Sequence, residues 1–373
     1  MRVVAVTSSL GVGGAERSLI KLLRVIEPLV DSVDLVTLVN VEKRIAEELP
    51  NHVNLISLNG RSANPMLWLR VGKLFRAIDP DLIIGWSTYA NFVAVIGSIF
   101  AARARLILSE RIYVPQYMKQ ANHSILRRRI VLFLMRLLYR RADVVTANST
   151  TNVRFLQRYV GGLPAYRLLP NTVDVAGLDV RATELDPEGI EGVASPHIVA
   201  IGRLEQQKGF DILLRAFAIV RFNRPDWSLV IVGDGSERDS LRVLSRFLRL
   251  DAAIYWAGEV ANPFPYYRWA DIVVVPSRFE GFPNVALEAM ALGNAVICSD
   301  CRTGPRELTV KGRYGRLVPV GDAGALAREI VALGSSPHAI EELGSSAREF
   351  VLRTYDMHVM RLRYAEVLGF CVR

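Results

Sequence analysis

Short runs typical of β-strands alternate with helical patterns along most of the chain. Residues 3–9, 53–58 and 105–108 are examples of such runs, and a segment with helical periodicity follows each of them. Strands that alternate with helices form parallel sheets whose two faces the helices cover. The pattern therefore predicts an α/β fold, with functional residues in the loops beyond the carboxyl ends of the strands.

The length of the chain, 373 residues, exceeds the size at which a single hydrophobic core keeps growing. Two domains are therefore expected. Residues 175–195 are acidic, contain glycine and proline and lack an apolar period, which predicts a linker. We accordingly expect an N-terminal domain over residues 1–174 and a C-terminal domain over residues 196–345. Residues 346–373 are expected to form a helix that packs back on the N-terminal domain.

One strand-to-helix turn in the second half has the features of an anion site. Residues 271–276 form an apolar run typical of a buried parallel strand, and a helix ended by glycine follows the turn. Pro283 suits the first helical position, where its missing N–H needs no partner. The N–H groups of Asn284, Val285 and Ala286 would then point out of the helix start, where the helix dipole also attracts a phosphate.

Two glutamates flank this helix start. Glu280 lies in the loop just before it, and Glu288 lies about one turn inside the helix. Carboxylates accept hydrogen bonds from hydroxyl groups, so the turn offers phosphate donors between two hydroxyl acceptors. This arrangement suits a nucleotide-sugar. The alternative is a packed turn that carries two solvated glutamates.

The charge and the cysteines narrow the function classes. The net charge is +9, which fits nucleic acid, an anionic membrane or a phosphate-rich substrate. Three cysteines are too few for a disulfide framework. Cys298 and Cys301 form a C-x-x-C pair, but no second pair or histidine cluster completes a zinc site. We therefore expect no bound metal and no other cofactor.

A glycine turn follows the first strand at residues 11–17. A dinucleotide-binding fingerprint would need a third glycine where Glu16 stands, and an acidic residue at the end of the second strand, where the chain has Asn40. Glu42 comes slightly too late to replace it. The sequence therefore disfavours an NAD-binding site, although a tight turn that packs the helix on the sheet is expected in any case.

Residues 119–141 form a basic segment in which arginines interleave with large apolar residues. An amphipathic helix of this composition suits the face of an anionic bilayer or a grip on a lipid-linked diphosphate. The alternative is a core helix whose arginines solvate its outer side. Nucleic acid is not an expected partner, because aromatic residues are nearly absent from the segment and no nucleic-acid-binding module is recognisable. The candidate acceptor or membrane residues here are Arg127, Arg128, Arg129 and Arg136.

The hydropathy of the sequence does not predict a segment that spans a membrane. Residues 1–6 are typical of a first strand, and a glycine turn follows too early for a secretory leader. The apolar run 92–102 is followed by Arg103 and Arg105 and is too short to cross a bilayer. A cytoplasmic protein, held at the inner face of the plasma membrane by peripheral contacts, is the expectation.

Three motifs together resemble a known enzyme family. The stretch E-G-F-P-N-V-A-L-E over residues 280–288 resembles the E-x7-E signature of retaining GT-B glycosyltransferases of family 4. Residues 202–209, G-R-L-E-Q-Q-K-G, resemble that family's G-R-x-x-x-x-K-G loop, and residues 170–174, P-N-T-V-D, resemble the P-N-G-V-D that closes its first domain. The resemblance implies two Rossmann-like domains that face each other across a cleft.

The resemblance also implies roles for individual residues. Glu280 would hold the hydroxyls of the donor sugar and Glu288 those of the ribose, while Arg203 and Lys208 would neutralise the departing nucleotide. Arg111 stands where many relatives carry a histidine that contacts the donor sugar. Here it could serve an acidic group of the substrate or pair with Glu110. The implied catalytic residues are Glu280, Arg203 and Lys208. The implied donor-binding residues are Gly13, Gly14, Arg203, Lys208, Gly258, Glu280, Gly281, Phe282, Pro283, Asn284, Val285, Ala286 and Glu288, and Arg111 is added to the acceptor or membrane group.

A narrower resemblance concerns the acceptor. Residues 299–307, S-D-C-R-T-G-P-R-E, are similar to a subgroup that adds N-acetylgalactosamine or related hexoses to polyprenyl-diphosphate-linked glycans. This implies a retaining hexosyltransferase that transfers a hexose or N-acetylhexosamine from a nucleoside-diphosphate sugar, with a UDP-sugar favoured. The acceptor would be a lipid-linked glycan in the assembly of bacterial surface polysaccharides or glycoproteins. Two alternatives stay open: a GT-B nucleotide-sugar epimerase, and a catalytically degenerate scaffold that binds membranes.

Overall fold

The computed structural model describes residues 1–11, 13–60, 65–115, 118, 124–162, 164–184, 186–187, 190 and 196–370, with the backbone alone at residues 65 and 66. Two compact units divide these residues. The first unit comprises Met1–Thr172 and the segment that begins at Met357, and the second unit is Val173–Asp356. Two α/β domains with parallel sheets are therefore confirmed.

The first unit is built on a seven-stranded parallel sheet with the order β3-β2-β1-β4-β5-β6-β7. Its strands are β1 Arg2–Thr7, β2 Ser32–Thr37, β3 Val53–Ser57, β4 Leu82–Trp86, β5 Arg105–Glu110, β6 Val144–Ala147 and β7 Ala165–Leu168. Its described helices are α1 Gly14–Ile26, α2 Lys43–Ala46, α3 Pro65–Ile78, α4 Thr88–Ser98, α5 Ile125–Leu138 and α6 Thr150–Val160, with the later α15 Met357–Leu368.

The second unit is built on a six-stranded parallel sheet with the order β10-β9-β8-β11-β12-β13. Its strands are β8 Ile198–Ile201, β9 Leu229–Val232, β10 Ile254–Gly258, β11 Ile272–Val275, β12 Ala295–Ser299 and β13 Arg316–Val318. Its described helices are α7 Val175–Thr183, α8 Phe210–Asn223, α9 Arg238–Phe247, α10 Phe264–Trp269, α11 Asn284–Ala291, α12 Pro305–Leu308, α13 Ala323–Gly334 and α14 Pro337–Thr354.

Each sheet has a hydrophobic core on both faces, and the strand sequences explain why. Side chains alternate between the two faces of a strand. In β1, Val4 and Val6 enter one core while Val3 and Ala5 enter the opposite one, and all four are essentially inaccessible. Strands buried on both faces must be apolar at every position, which is why they read as continuous apolar runs.

Both sheets reverse their strand order next to their first strand. In the first unit the chain builds outward from β1 to β3 and then returns to place β4 on the other side of β1. In the second unit the same reversal places β11 beside β8, on the side opposite to β9. Loops that leave the carboxyl ends of two such neighbouring strands diverge, and the crevice between them is where α/β sheets bind ligands.

The predicted linker at residues 175–195 was partly wrong, because its first half is helix α7. Asp174 caps this helix by accepting a hydrogen bond from the Gly177 N–H at 3.0 Å. Val175, Leu178 and Ala182 are buried at helical spacing, so an apolar period was present but short. Residues 185, 188–189 and 191–195 of the predicted linker lie outside the described residues.

The chain returns to the first unit later than the predicted boundary at residue 346. Helix α14, Pro337–Thr354, lies in the second unit, where Leu343, Ala347 and Val351 are buried. The chain passes back after Asp356, and α15 joins the first unit with Tyr364 buried against it. Residues 371–373 lie outside the described part. Buried residues recur at helical spacing on both sides of this break, in α14 and in α15, so the sequence pattern did not predict it.

We expect two glycine substitutions in the second unit to differ sharply in stability. Gly233 has φ +133°, and an added Cβ would lie 2.0 Å from the carbonyl oxygen of Gly202. Gly321 has φ +82°, and an added Cβ would meet no described atom within 4 Å. Gly321→Ala should therefore cost about 1 kcal/mol of unfolding free energy, whereas Gly233→Ala should cost several times more. Urea unfolding of the two variants measures the difference, and equal costs would contradict it.

Candidate functional site

The loops at the strand-order reversal of the second sheet bring together two motifs that are distant in sequence. Residues 202–209 follow β8, and residues 276–283 follow the neighbouring strand β11. Both strands are parallel, so both loops leave the same edge of the sheet. Lys208 and Glu280, each predicted from its own motif, meet at this edge.

Lys208 and Glu280 form a mostly buried ion pair. The Lys208 Nζ lies 2.7 Å from Glu280 Oε1, and the side chains are 20% and 6% exposed. Ser277 Oγ donates to the same oxygen at 2.7 Å. The Thr303 hydroxyl donates to the Glu280 carbonyl oxygen and so holds the backbone as well. Among the described residues, Glu280 Oε2 has no hydrogen-bond partner, so one carboxylate oxygen is fixed and the other is available to a ligand.

A second contact fastens the two loops together, and the sequence analysis missed it. Arg278 donates from both terminal nitrogens to the two carboxylate oxygens of Asp211, at 2.6 and 2.7 Å. This bidentate pair raises the pKa of Arg278. Burial works to raise the pKa of Asp211, but the hydrogen bonds and charge of Arg278 outweigh it and lower that pKa. The Gln207 side chain also donates to the Phe279 carbonyl oxygen at 3.0 Å.

The start of α11 differs from the prediction in one respect. Pro283 is the cap residue and not the first helical residue, since the first full-turn helical bond runs from the Leu287 N–H to the Pro283 carbonyl at 3.0 Å. The Asn284 N–H turns back to the Phe282 carbonyl at 3.0 Å and so is not available as predicted. Within the described chain, the N–H groups of Val285 and Ala286 have no acceptor.

Gly304 explains the shape of this turn. Its φ of +87° is a conformation that glycine adopts without strain and other residues rarely adopt. An added Cβ would also lie 2.8 Å from Pro283 Cδ and 3.2 Å from the Gly281 carbonyl oxygen. The loop after β12 therefore packs directly on the loop before α11. Glu288, in the second turn of that helix, is buried, and the Tyr267 hydroxyl lies 3.4 Å from its Oε2.

Arg203 follows the carboxyl end of β8, and Gly258 lies at the carboxyl end of β10, with β9 between the two strands. The Arg203 side chain is exposed, and its guanidinium has no hydrogen-bond or ion-pair partner among the described residues. Its backbone is held because the next residue, Leu204, donates to the Asp234 carbonyl at 2.9 Å. Gly258 has φ +71° with open space in front of it. A fixed backbone with an exposed cation is suited to an anionic ligand.

The two described cysteines pack beside the ion pair as neutral thiols. Burial raises the pKa of both Cys298 and Cys301, and the Glu280 carboxylate raises each further. The Cys301 thiol donates to the Ser277 carbonyl oxygen at 3.0 Å. In the part of the chain that the structure describes, no group of three or more metal-ligating side chains occurs.

The glycine turn of the first unit carries a carboxylate where an anion would bind. Gly13 caps α1, and an added Cβ there would lie 2.3 Å from Glu16 Oε2, so the Glu16 side chain covers it. Ser9 donates to the other oxygen of Glu16 at 3.3 Å. Gly14 is exposed, and Val12 lies outside the described residues. This geometry disfavours a phosphate in front of Gly13 and favours a hydroxyl.

Arg111 is buried and bonded internally. Its guanidinium donates to the Leu169 carbonyl at 3.0 Å and to the Asn171 side-chain oxygen, and it lies 4.3 Å from the centre of the Trp86 ring. Burial lowers the pKa of Arg111 to about 10. Its contacts are made to Ser109, Leu169 and Asn171 rather than in an ion pair with Glu110, the pairing that was one of the predicted options.

Glu110 forms a separate buried network at the end of β5. Its carboxylate accepts hydrogen bonds from the Thr88 hydroxyl at 2.9 Å and from the Tyr139 hydroxyl at 2.8 Å. Burial raises the pKa of Glu110 to about 7, although these donors partly offset it. This network could not be predicted from the sequence, because Tyr139 is far from Glu110 along the chain and lies among apolar residues.

Helix α5 faces outward with its apolar side. Leu126, Ile130, Phe133 and Leu137 follow one another at helical spacing and are between 49% and 68% exposed. Met135, on the opposite side, is fully buried. The exposed arginines of α5 are Arg127, Arg129 and Arg136, while Arg128 is half-buried. The predicted alternative, a core helix with only arginines outside, does not describe this helix. Residues 119–123 of the basic segment lie outside the described residues.

Comparison with known families decides the class of protein. The family model described as Glycosyl transferases group 1 matches residues 195–336, and the model described as Glycosyltransferase Family 4 matches residues 12–176. The N-acetylgalactosamine-N,N'-diacetylbacillosaminyl-diphospho-undecaprenol 4-alpha-N-acetylgalactosaminyltransferase of Campylobacter jejuni is 30% identical over 332 residues, which cover 85% of this chain and 86% of that protein. The chain belongs to glycosyltransferase family 4. It is an enzyme, a glycosyltransferase.

Other relatives of this glycosyltransferase agree on the class and the fold. The GDP-mannose-dependent alpha-(1-6)-phosphatidylinositol monomannoside mannosyltransferase of Mycolicibacterium smegmatis is 28% identical, with 82% of this chain and 80% of that protein covered. Among solved structures, Anabaena HepE in complex with UDP and glucose has a TM-score of 0.81 at 24% identity, with 99% of each chain covered. The fold is that of the GT-B glycosyltransferases.

We expect Asp211→Asn to lower kcat/KM by about tenfold to a hundredfold, because loosening the clamp to Arg278 shifts Lys208 against Glu280. Glu349→Gln is the matched control, since it weakens only the exposed pair with Arg353 in the same unit. Steady-state turnover of the donor by both variants makes the comparison. Activities within about twofold of each other would show that the clamp does not position the ion pair.

Glu110 should make stability depend on pH. The folded carboxyl keeps its proton up to a pKa of about 7, while the unfolded one releases it near 4.5. Unfolding therefore releases a proton between these values, and the free energy of unfolding falls as pH rises through this window. Glu110→Gln removes the effect, so wild type should lose more stability than the variant between about pH 5 and pH 7 in urea unfolding. Parallel pH curves would contradict the assignment.

Proposed function

We propose that the enzyme moves a hexose or N-acetylhexosamine from a UDP-sugar to a lipid-linked glycan, with retention of anomeric configuration. The observation that best supports this proposal is the site at the carboxyl edge of the second sheet. There the Lys208–Glu280 ion pair lies next to the start of α11. UDP occurs in the solved complex of HepE, and an undecaprenol-diphosphate acceptor is named for the Campylobacter relative.

The donor diphosphate has three sources of positive potential in this proposal. The N–H groups of Val285 and Ala286 lie at the positive end of the α11 dipole. Lys208 has three donors, of which one is used by Glu280. Arg203 is exposed and unpaired among the described residues, so it can close on the phosphates from solvent. As the bond to the sugar lengthens, charge grows on the leaving phosphate, and these fixed donors stabilise it.

Glu280 acts on the sugar by hydrogen bonding in this mechanism. Its Oε1 is held by Lys208 and Ser277, and the remaining Oε2 accepts from a donor-sugar hydroxyl. A carboxylate neutralised in this way is a poor nucleophile, which favours attack by the acceptor on the same face that the diphosphate leaves. The departing phosphate then takes the proton of the acceptor hydroxyl.

The two alternatives receive less support. An epimerase would be expected to use a histidine near its glycine loops, yet His197 stacks on Trp269 at the amino end of β8, and His52 packs near Glu27. His123 lies outside the described residues. A degenerate scaffold would have no need for a catalytic pair held by Ser277 and by the Arg278 clamp. Neither rival is favoured by a specific contact.

Donor binding tests the proposal directly. UDP-N-acetylgalactosamine, UDP-N-acetylglucosamine, UDP-galactose, UDP-glucose and GDP-mannose are measured by calorimetry and nucleotide release, without added metal. We expect saturable binding of one UDP-sugar, weakened at least about tenfold in Arg203→Ala. Glu280→Gln should retain nucleotide binding and lose about a hundredfold or more in turnover. Binding with no wild-type turnover would favour the degenerate scaffold.

We further propose that α5 docks on the inner face of the plasma membrane, next to a lipid-linked acceptor. An exposed apolar stripe flanked by arginines is the arrangement of a helix that lies in the bilayer interface. Within the described ranges, no helix is both long and apolar enough to cross a membrane. The contact would therefore be peripheral.

Vesicle sedimentation at low salt tests this contact. Wild type should bind vesicles that contain an anionic phospholipid, and the double variant Phe133→Ser with Leu137→Ser should bind at least about tenfold more weakly, since each lost apolar side chain costs about 1.5–3 kcal/mol of burial. Phe222→Ser is the control, because Phe222 is 90% exposed on α8 of the second unit. Equal loss in the control, or no binding by wild type, would refute α5 as the docking element.

A further inference from the structure

The segment that leads from the first unit into the second is anchored by buried side chains before it crosses. We call residues 169–174 the crossing segment. Arg111 donates to the Leu169 carbonyl and to the Asn171 side chain, and the Tyr364 hydroxyl of α15 donates to the Pro170 carbonyl. Leu169 and Asn171 are at most 4% exposed. Three consecutive residues are therefore fixed to the first unit.

The same segment is anchored again on the far side of the unit boundary. Val173 pairs with Asp356, the last residue of the second unit, and its N–H donates to the Tyr355 carbonyl at 3.0 Å. The Val175 N–H lies 3.3 Å from the Asp356 carboxylate. Val173 is fully buried. The outgoing and returning chains thus form one short parallel pair at the point where both change units.

Tyr355 connects this pair to the proposed donor loop. Its ring meets the Phe282 ring edge to face, with centroids 5.7 Å apart and an interplanar angle of 62°. The Tyr355 ring also meets the Phe350 ring, with centroids 5.8 Å apart, and Phe350 stacks on Tyr314 at 4.3 Å. Phe282 lies between Glu280 and the Val285 and Ala286 amides in sequence, and it is 6% exposed. A shift of Tyr355 would therefore displace the centre of the loop.

We propose that Arg111 and Tyr355 are positioning residues at the two ends of one linkage, which transmits the path of the crossing segment to the Phe282 loop. The kinetic side of this inference rests on the proposed transferase function, and the structural side does not. Two of the three guanidinium nitrogens of Arg111 donate to Ser109, Leu169 and Asn171, so in this inference Arg111 acts through the crossing segment. Side chains that are buried and closely packed move together, because none of them can shift without displacing its neighbours.

The geometry of the linkage explains why position 111 carries an arginine. A guanidinium donates in several directions at once, so it can hold a main-chain carbonyl and a side-chain oxygen of the same segment together. Lysine would supply charge without that fork. The stacking on Trp86 at 4.3 Å fixes the plane of the guanidinium, and the Trp86 indole N–H donates in turn to the Ala15 carbonyl at 2.8 Å. The anchor is thus continuous with the start of α1.

A double-mutant cycle tests whether the two residues act together. We expect Arg111→Met and Tyr355→Leu each to lower kcat by about tenfold, with a smaller change in the donor KM. The double variant should also fall by about tenfold rather than by the hundredfold product, because either change already breaks the linkage. Tyr355→Phe keeps the ring and should restore most of the kcat that Tyr355→Leu loses. Multiplicative losses in the double variant would refute the linkage.

Hydrogen–deuterium exchange supplies a readout that needs no substrate. Amide exchange in residues 276–288 should accelerate in Arg111→Met, although Arg111 belongs to the other unit. Glu110→Gln is the matched control, since the Glu110 carboxylate accepts hydrogen bonds from Thr88, Tyr139 and the Arg111 N–H but contacts no residue of the crossing segment. Unchanged exchange in a folded Arg111→Met, or equal acceleration in the control, would overturn the proposal. If wild type turned over no donor, the proposed function would fail while this measurement still decided the linkage.

Discussion

The ion pair between Lys208 and Glu280 is the contact on which the rest of the candidate site depends. These residues are 72 positions apart, and their distance of 2.7 Å exists only because β8 and β11 are neighbours in the sheet. A mostly buried pair tolerates little displacement, since either charge alone would be desolvated without compensation. The sheet order, the Arg278–Asp211 clamp and the packing of Gly304 on Pro283 all serve to keep this contact in place.

The electrostatic design divides fixed groups from mobile ones. Glu280 and the α11 amides belong to buried or backbone positions that cannot reorganise, whereas the Arg203 side chain is exposed on a fixed backbone. Fixed donors favour charge that develops in a transition state, because they need no reorientation as the charge appears. A mobile cation contributes mainly to capture of an anionic ligand. The second unit therefore combines both properties at one edge.

Much of this could be predicted from the sequence, because local patterns carry it. Apolar runs indicated the parallel strands, and the Glu280 turn, together with the resemblance of residues 202–209 and 280–288 to family motifs, indicated the candidate site. The Arg278–Asp211 clamp was not predictable, since both residues look like ordinary surface charges until the loops meet. The apolar stripe of α5 was visible as spacing, but the spacing does not say which side faces the sheet. Helix α7 was missed because three buried residues are too few to establish a period.

The return of α15 to the first unit has a consequence for the order in which the nascent chain can fold. Tyr364, Ala365 and Leu368 complete a core that also contains Leu19, Leu22 and Leu23 of α1. Those last residues leave the ribosome after the whole of Val173–Asp356, which is one continuous stretch of sequence. The second unit can therefore reach its native packing during synthesis, while α1 waits with an uncovered apolar face. Chaperone demand during synthesis should thus fall on the half of the enzyme that is made first.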